Sequence, residues 1–205
     1  MPKAKAKPQK KPAAQLRTLS VSAKKNGQKT AAKGARVAPS PRASAAKKKV
    51  APVPPGYGTA TAHLTVSPCA EALDFYAKAF GAKVKSTLPG PGGLLMHAEI
   101  KIGDSIVMFA DEMPMPGQPT QKSPKNAGLT TGSVMLYVKD VDSLFDRAIA
   151  AGAKPVMPPA DQFWGDRYGQ VEDPYGHLWH IATHVRDVTP KDMRKAMAQM
   201  EATQA

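Results

Sequence analysis

Beyond residue 57, hydrophobic and polar positions fall into two matching series. His63-Leu64-Thr65-Val66 alternates as a half-buried strand does, and the alternation returns 72 positions later in Met135-Leu136-Tyr137-Val138. A helical pattern follows each. In the first, Ser67 can cap and Pro68 suits the first helical position, with Leu73, Tyr76 and Phe80 on one face and Gly81 as the stop. In the second, Asp140 caps, Val141, Leu144, Phe145, Ala148 and Ile149 make the buried face, and Gly152 ends the helix. Both helices run into Gly-Ala-Lys, at 81–83 and 152–154. Three strands are then predicted per series, near residues 83–88, 95–102 and 105–109, and near 155–157, 168–172 and 178–183. Segment 105–112 overlies 177–184, again 72 apart. The order βαβββ thus occurs twice, in units 58–112 and 133–188, with a proline- and glycine-rich linker at 111–132. A final helix, residues 189–205, opens at Thr189-Pro190 and carries Met193, Met197 and Met200 on one stripe, the spacing of a core-packing face.

Charge divides the chain differently. Of the 205 residues, the first 57 carry 15 of the 29 Lys and Arg and none of the 16 Asp and Glu. The other 148 hold 14 basic and 16 acidic side chains, all five His, both Trp and all five Phe, so the core and any chemistry lie there. The first segment is built from Lys, Ala, Pro, Ser and Gly, a composition that cannot offset the entropy of ordering and predicts a disordered basic tail. Lys10, Lys11, Lys24, Lys25, Lys47, Lys48 and Lys49 are spaced to neutralise phosphates, so the tail is expected to bind nucleic acid, the alternatives being a targeting sequence or a solubilising extension with no specific partner. No apolar run approaches the roughly 18 residues of a membrane-spanning helix. The single cysteine, Cys69, excludes an intrachain disulfide and a cysteine-cluster zinc site. It fits a reducing compartment, the cytoplasm, with the nucleoid as the place such a tail would favour. Close to a helix start, Cys69 is expected to be either a thiol of lowered pKa or a plain structural cysteine.

Leu73-Asp74-Phe75-Tyr76 followed by Phe80-Gly81-Ala82 resembles the helix signature of the vicinal oxygen chelate superfamily: glyoxalases, bleomycin-resistance proteins and extradiol dioxygenases. Trp164-Gly165-Asp166-Arg167-Tyr168-Gly169 and Asp173-Pro174-Tyr175-Gly176-His177 are similar to its second-half strand and turn, and the combination looks closest to the PhnB-like branch. The resemblance covers about residues 58–190. It implies an α+β fold of paired βαβββ repeats forming a cupped mixed sheet, a small-molecule ligand and a homodimer. In catalytic members each unit supplies two metal ligands, one from its first strand and one from its last. The corresponding positions here are Thr61, Met108, Ser133 and His180, where those members carry His, Gln or Glu.

One good ligand in four does not hold a divalent ion. The expected function is therefore metal-free binding in a cleft lined by Thr61, His63, Met108, Ser133, Met135, Trp164, Arg167 and His180. The alternative places a divalent metal cofactor on a displaced set, His63, His97, Glu99 and His180, and makes the protein a lyase or dioxygenase in which Glu99 moves protons. Arg167, beside Trp164 and Tyr168, can grip an anionic or planar ligand or pair with Asp166 to pin its loop. Asp173 is expected to stabilise its turn through an Asx-type bond. On a strand His184 shares the face of His180 and His177 does not, so His184 is the expected neighbour.

Overall fold

In each half of the protein the first strand returns beside the last, and a helix covers one face of the sheet that results. The structure, a computed structural model, describes residues 50–114, 116–117 and 119–204; the tail lysines named above lie outside them. The first half comprises β1 (Ala62–Thr65), α1 (Cys69–Phe80), β2 (Lys83–Pro89), β3 (Leu95–Ile102) and β4 (Ser105–Ala110). A short helix in the linker, α2 (Pro124–Ala127), precedes the second half. That half comprises β5 (Ser133–Tyr137), α3 (Val141–Ala150), β6 (Lys154–Asp161), β7 (Asp166–Glu172) and β8 (Leu178–His184), and α4 (Pro190–Gln204) follows. The strand orders are β1-β4-β3-β2 and β5-β8-β7-β6. β1 runs parallel to β4 and β5 to β8, while the remaining neighbours are antiparallel. The α+β fold of paired βαβββ repeats is the observed architecture.

Strand alternation sorts the side chains onto two faces. Ala98, Ile100, Val107 and Phe109 of the first sheet, and Leu136, Val171, Trp179 and Ile181 of the second, are buried in one core with α1 and α3. Aromatic rings from both halves meet there: Trp179 lies 4.6 Å from Phe80 and 5.3 Å from Tyr76, which also stacks 4.9 Å from Phe109. The opposite face of each sheet carries no helix of its own repeat and is called the open face below.

Asp173 sits inside the shared core, 1% exposed. Its carboxylate accepts from the backbone N–H groups of Tyr175 and His177 at 2.9 Å each, which closes the Asp-Pro-Tyr-Gly turn. It also accepts from Trp179 Nε1 at 2.9 Å and from the Tyr76 hydroxyl of the other repeat at 2.8 Å. The turn-stabilising role read from the sequence is thus joined by one that links the halves.

The two helices start in equivalent ways by different chemistry. Asp140 caps α3, accepting from Ser143 N–H at 3.0 Å. At α1, Pro68 itself occupies the cap position and Ser67 makes no capping bond, contrary to the sequence expectation. Asp111, the residue after β4, supplies the acceptor instead: its Oδ1 takes the Cys69 N–H at 2.9 Å. Thr183, 72 positions on, does the same for Val141 through its hydroxyl, also at 2.9 Å.

Three further differences from the sequence reading have physical causes. β6 runs past Pro158-Pro159 rather than stopping at Met157, because it is an edge strand whose outer N–H groups need no partner. Met197 and Met200 of α4 are about half exposed, at 49% and 47%, so helical spacing there does not mark a core face. Tyr57, assigned to the tail, packs against the first sheet by a hydrogen bond to Glu99.

The loop carrying Trp164 is fixed by the strand end that follows it. Gly165, with φ +105°, passes so close to the chain that a Cβ there would lie 2.2 Å from the Arg186 carbonyl oxygen. Its own carbonyl accepts from Val185 and Arg186 N–H at 3.0 Å each. Buried Asp166 gathers the Tyr137 hydroxyl at 3.0 Å, Trp164 Nε1 at 3.2 Å and His184 Nδ1 at 2.8 Å. The other His184 nitrogen reaches Asp187 at 3.0 Å. Bonds to these two carboxylates raise the His184 pKa.

Replacing Asp173 by Ala is expected to cost about 3 kcal/mol or more in urea unfolding, since charged hydrogen bonds are lost and buried donors orphaned; Tyr76→Phe should cost about 1 kcal/mol. His184 has a folded pKa above the ordinary 6.5, so its contribution is full below that value and lost as pH rises through the raised one. Wild type should therefore melt above His184→Gln at about pH 6 and lose that advantage at about pH 9.

Candidate functional site

The open faces of the two sheets carry the chemistry. On the first sheet the register sets His63 of β1 beside Met108 of β4, Met108 beside Glu99 of β3, and Glu99 beside Ser86 of β2. His97, two residues before Glu99, shares that face, and its Nε2 lies 3.1 Å from Glu99 Oε1. The rings of His63 and His97 stack 6.3 Å apart. Burial, and then the neighbouring His97, lower the pKa of His63. Hydrogen bonds from Tyr57 and His97 hold the Glu99 carboxyl below the usual carboxylate range.

On the second sheet the matching row is Met135 of β5, His180 of β8, Gln170 of β7 and Met157 of β6. Gln170 Nε2 donates to the Tyr168 hydroxyl at 2.7 Å, and that hydroxyl pairs with His180 Nδ1. The hydroxyl donates to Nδ1 or accepts from it according to the imidazole tautomer, and either way it holds the His180 ring in place. Trp164 meets Tyr168 edge-on at 5.6 Å, and Phe163 meets Trp164 at 5.1 Å. An aromatic wall therefore stands beside a polar row.

The halves correspond residue by residue. His97 and Glu99 match Tyr168 and Gln170 at an offset of 71, while His63 and Met108 match Met135 and His180 at 72. The first- and last-strand pair of each row thus holds one imidazole and one thioether, in reversed places. Thr61 lies just before β1 and Ser133 at the start of β5, so the residues directly beside the last-strand positions are His63 and Met135.

Neither donor set suits a divalent ion. Thr61, Met108, Ser133 and His180 include one strong ligand, and the four register neighbours include two imidazoles on different sheets. The displaced set is not assembled either: His63, His97 and Glu99 share the first sheet, whereas His180 is bonded to Tyr168 on the second. Among the described residues no three His, Cys, Asp or Glu side chains stand close enough to hold one ion.

Arg167 leaves the expected cleft. Successive strand residues point to opposite faces, so with Asp166 and Tyr168 on the open face Arg167 turns to the helix side. Its Nε and one terminal nitrogen each lie 2.7 Å from an Asp142 oxygen on α3, and Asp161 is 3.2 Å from another. Its partners are thus Asp142 and Asp161, and Asp166 serves Tyr137, Trp164 and His184 instead. His177 is buried and contacts the Thr65 carbonyl oxygen at 3.0 Å, tying β1 to the second half. Cys69 is buried, which pushes its thiol up to about 12 and excludes the activated-thiol reading.

Cavities follow the outer edges of β1 and β5. One of about 680 Å³ is bounded by Ala62, Ile106, Met135, Tyr137 and Arg147. Two more, of about 470 and 230 Å³, share His63, Thr65 and Gln121, with the linker as part of their walls. Thr65 donates to Gln121 Oε1 at 2.8 Å and holds the linker there. Sequence reasoning missed Tyr57 and Lys85 on the first sheet and Gln170 on the second. The second was within reach, because Gln170 stands two residues after Tyr168 and repeats the spacing of His97 and Glu99.

A family model described as Glyoxalase/Bleomycin resistance protein/Dioxygenase superfamily matches residues 58–181. An uncharacterized protein of Mycobacterium tuberculosis (strain H37Rv) is 43% identical over 136 residues, covering 66% of this chain and 80% of the relative. Among solved structures, TioX from Micromonospora is 33% identical with a TM-score of 0.49, covering 62% of this chain and all of its own. A PhnB protein from Bacillus cereus, described as a putative 3-demethylubiquinone-9 3-methyltransferase, is 18% identical with a TM-score of 0.47, covering 62% of this chain and 99% of its own. Among the described residues no helix is long and apolar enough to cross a membrane. With its family match spanning both βαβββ repeats, the chain belongs to the Glyoxalase/Bleomycin resistance protein/Dioxygenase superfamily.

Proposed function

We propose that the protein is a small-molecule binding member of this superfamily that takes a planar ligand on the open face of the second sheet without a metal centre. The observation that carries the reading is the bonded chain from Gln170 through Tyr168 to His180 beside the rings of Trp164 and Phe163. The chain holds the imidazole in place, and its second ring nitrogen can hydrogen-bond a polar group of the ligand. The Trp164 ring offers an apolar surface against which a planar molecule can lie. Met135, 40% exposed beside His180, adds a thioether that adapts to ligand shape. Metal-dependent lyase or dioxygenase chemistry is the weaker reading, because three of the four family positions, Thr61, Met108 and Ser133, carry poor donors.

A second reading concerns the tail. Fifteen basic and no acidic residues among the first 57 support nucleic-acid binding by counterion release, independent of what the folded part binds.

A thermal-shift screen of planar heterocycles should yield a ligand whose affinity falls roughly tenfold in Tyr168→Phe, the value of one hydrogen bond, and further in Trp164→Ala. Unchanged binding in Trp164→Ala and His180→Ala would sink the reading. Stoichiometric metal in freshly purified protein, lost in a His63→Ala/His180→Ala variant, would favour the enzyme instead. For the tail, affinity for duplex DNA should fall steeply as salt rises and vanish on removal of residues 1–49. Binding that ignores salt would reject that role.

A further inference from the structure

The segment immediately before β1 ends in a turn with a defined task. Tyr57 N–H donates to the Pro54 carbonyl at 3.2 Å, and between them stand Pro55 and Gly56, the latter with φ +86°. Proline at the second position and glycine with positive φ at the third make a type II turn. The turn sits beside Ile106, whose Cδ1 is 4.0 Å from where a Gly56 Cβ would be. It lays the Tyr57 side chain on the open face of the first sheet.

Every feature of that ring is recognised there. The hydroxyl donates to Glu99 Oε2. The Lys85 ammonium lies 4.6 Å from the ring centroid, in cation–π range, and 4.0 Å from the same Glu99 oxygen. The other Glu99 oxygen is engaged by His97, so the carboxylate is aimed by two partners before the phenol arrives. Tyr57 is half-buried while residues 50–56 and 58–60 are exposed, and it is absent from the hydrophobic core. Its contacts are those of a bound phenol rather than of a packing residue.

We propose that the open face of the first sheet is a binding site for neutral phenols and that Tyr57, carried on the Pro54–Tyr57 turn, is a tethered occupant that an external phenol displaces. The class of ligand follows from the contacts: one ring, one hydroxyl able to donate, and no anionic group near it, because Glu99 would repel one. The turn is then an autoinhibitory strap, and affinity for a free phenol is reduced by the fraction of time that Tyr57 is in place. This inference rests on the reading that the open faces bind small molecules, but it uses the other sheet and other residues.

The test is calorimetric titration of the full chain with p-cresol, and with toluene as the matched ring without a hydroxyl. Tyr57→Ala should bind p-cresol roughly tenfold more tightly than wild type, because a strap in place about nine-tenths of the time leaves about one site in ten open. Tyr57→Phe, which keeps the ring, should show a smaller gain in the same direction. Adding Glu99→Gln to Tyr57→Ala should remove the gain, and toluene should show none. Equal p-cresol affinity in wild type and Tyr57→Ala, no binding to either, a gain that survives Glu99→Gln, or the same gain with toluene would each overturn the proposal. Failure here with Trp164-dependent binding intact leaves the second-sheet reading standing; the reverse result overturns only that one.

Discussion

Asp173 occupies the place where the two repeats meet, and its carboxylate is fully used. Two of its donors are backbone amides of its own turn, one is the indole of Trp179, and one is the phenol of Tyr76 in the other repeat. A carboxylate this deep is tolerable only because each donor arrives with good geometry; remove one and the others keep the cost of burial. The aromatic cluster of Tyr76, Phe80, Phe109 and Trp179 depends on it, since the bonds to Tyr76 and Trp179 fix two of the four rings. With α1 and α3 sharing that core, the open faces are left to carry polar chemistry.

The repeats preserve positions rather than residues. A carboxylate and a hydroxyl stand 72 positions apart, at the end of the last strand of each repeat, and take the equivalent helix-start amides. An ionisable pair on one sheet is matched by a phenol and an amide on the other. In the central rows imidazole and thioether exchange strands. Such a pair of faces suits two different ligand chemistries better than one ion held between them, because His63 packs against His97 on the first sheet while His180 is bonded to Tyr168 on the second.

Much of the architecture was legible in the chain. Gly-Ala-Lys at both helix ends and the recurrence at 72 positions disclose the duplication, and the helical faces follow from apolar spacing. Register was not legible. Counting back from the helix starts leads to Thr61 and Ser133, whereas the pairing of parallel strands brings His63 and Met135 beside the last strands. The face of Arg167 was missed because proximity to Trp164 in sequence says nothing about opposite sides of a strand. β6 runs through two prolines beyond its expected span, and only its place at a sheet edge shows why they are allowed. Tyr57 escaped notice because the composition around it is that of the tail, and its partners Lys85 and Glu99 lie far along the chain.

The turn before β1 also bears on where the domain should be cut. The family match begins at residue 58, one position after the side chain that covers Glu99. A protein trimmed to that boundary keeps both sheets, both open rows and the Asp173 junction, yet begins with Gly58 and leaves Lys85 and Glu99 bare. Crystals or assays of such a shortened form would describe a first sheet permanently uncovered, a surface that the intact chain offers only when Tyr57 steps aside.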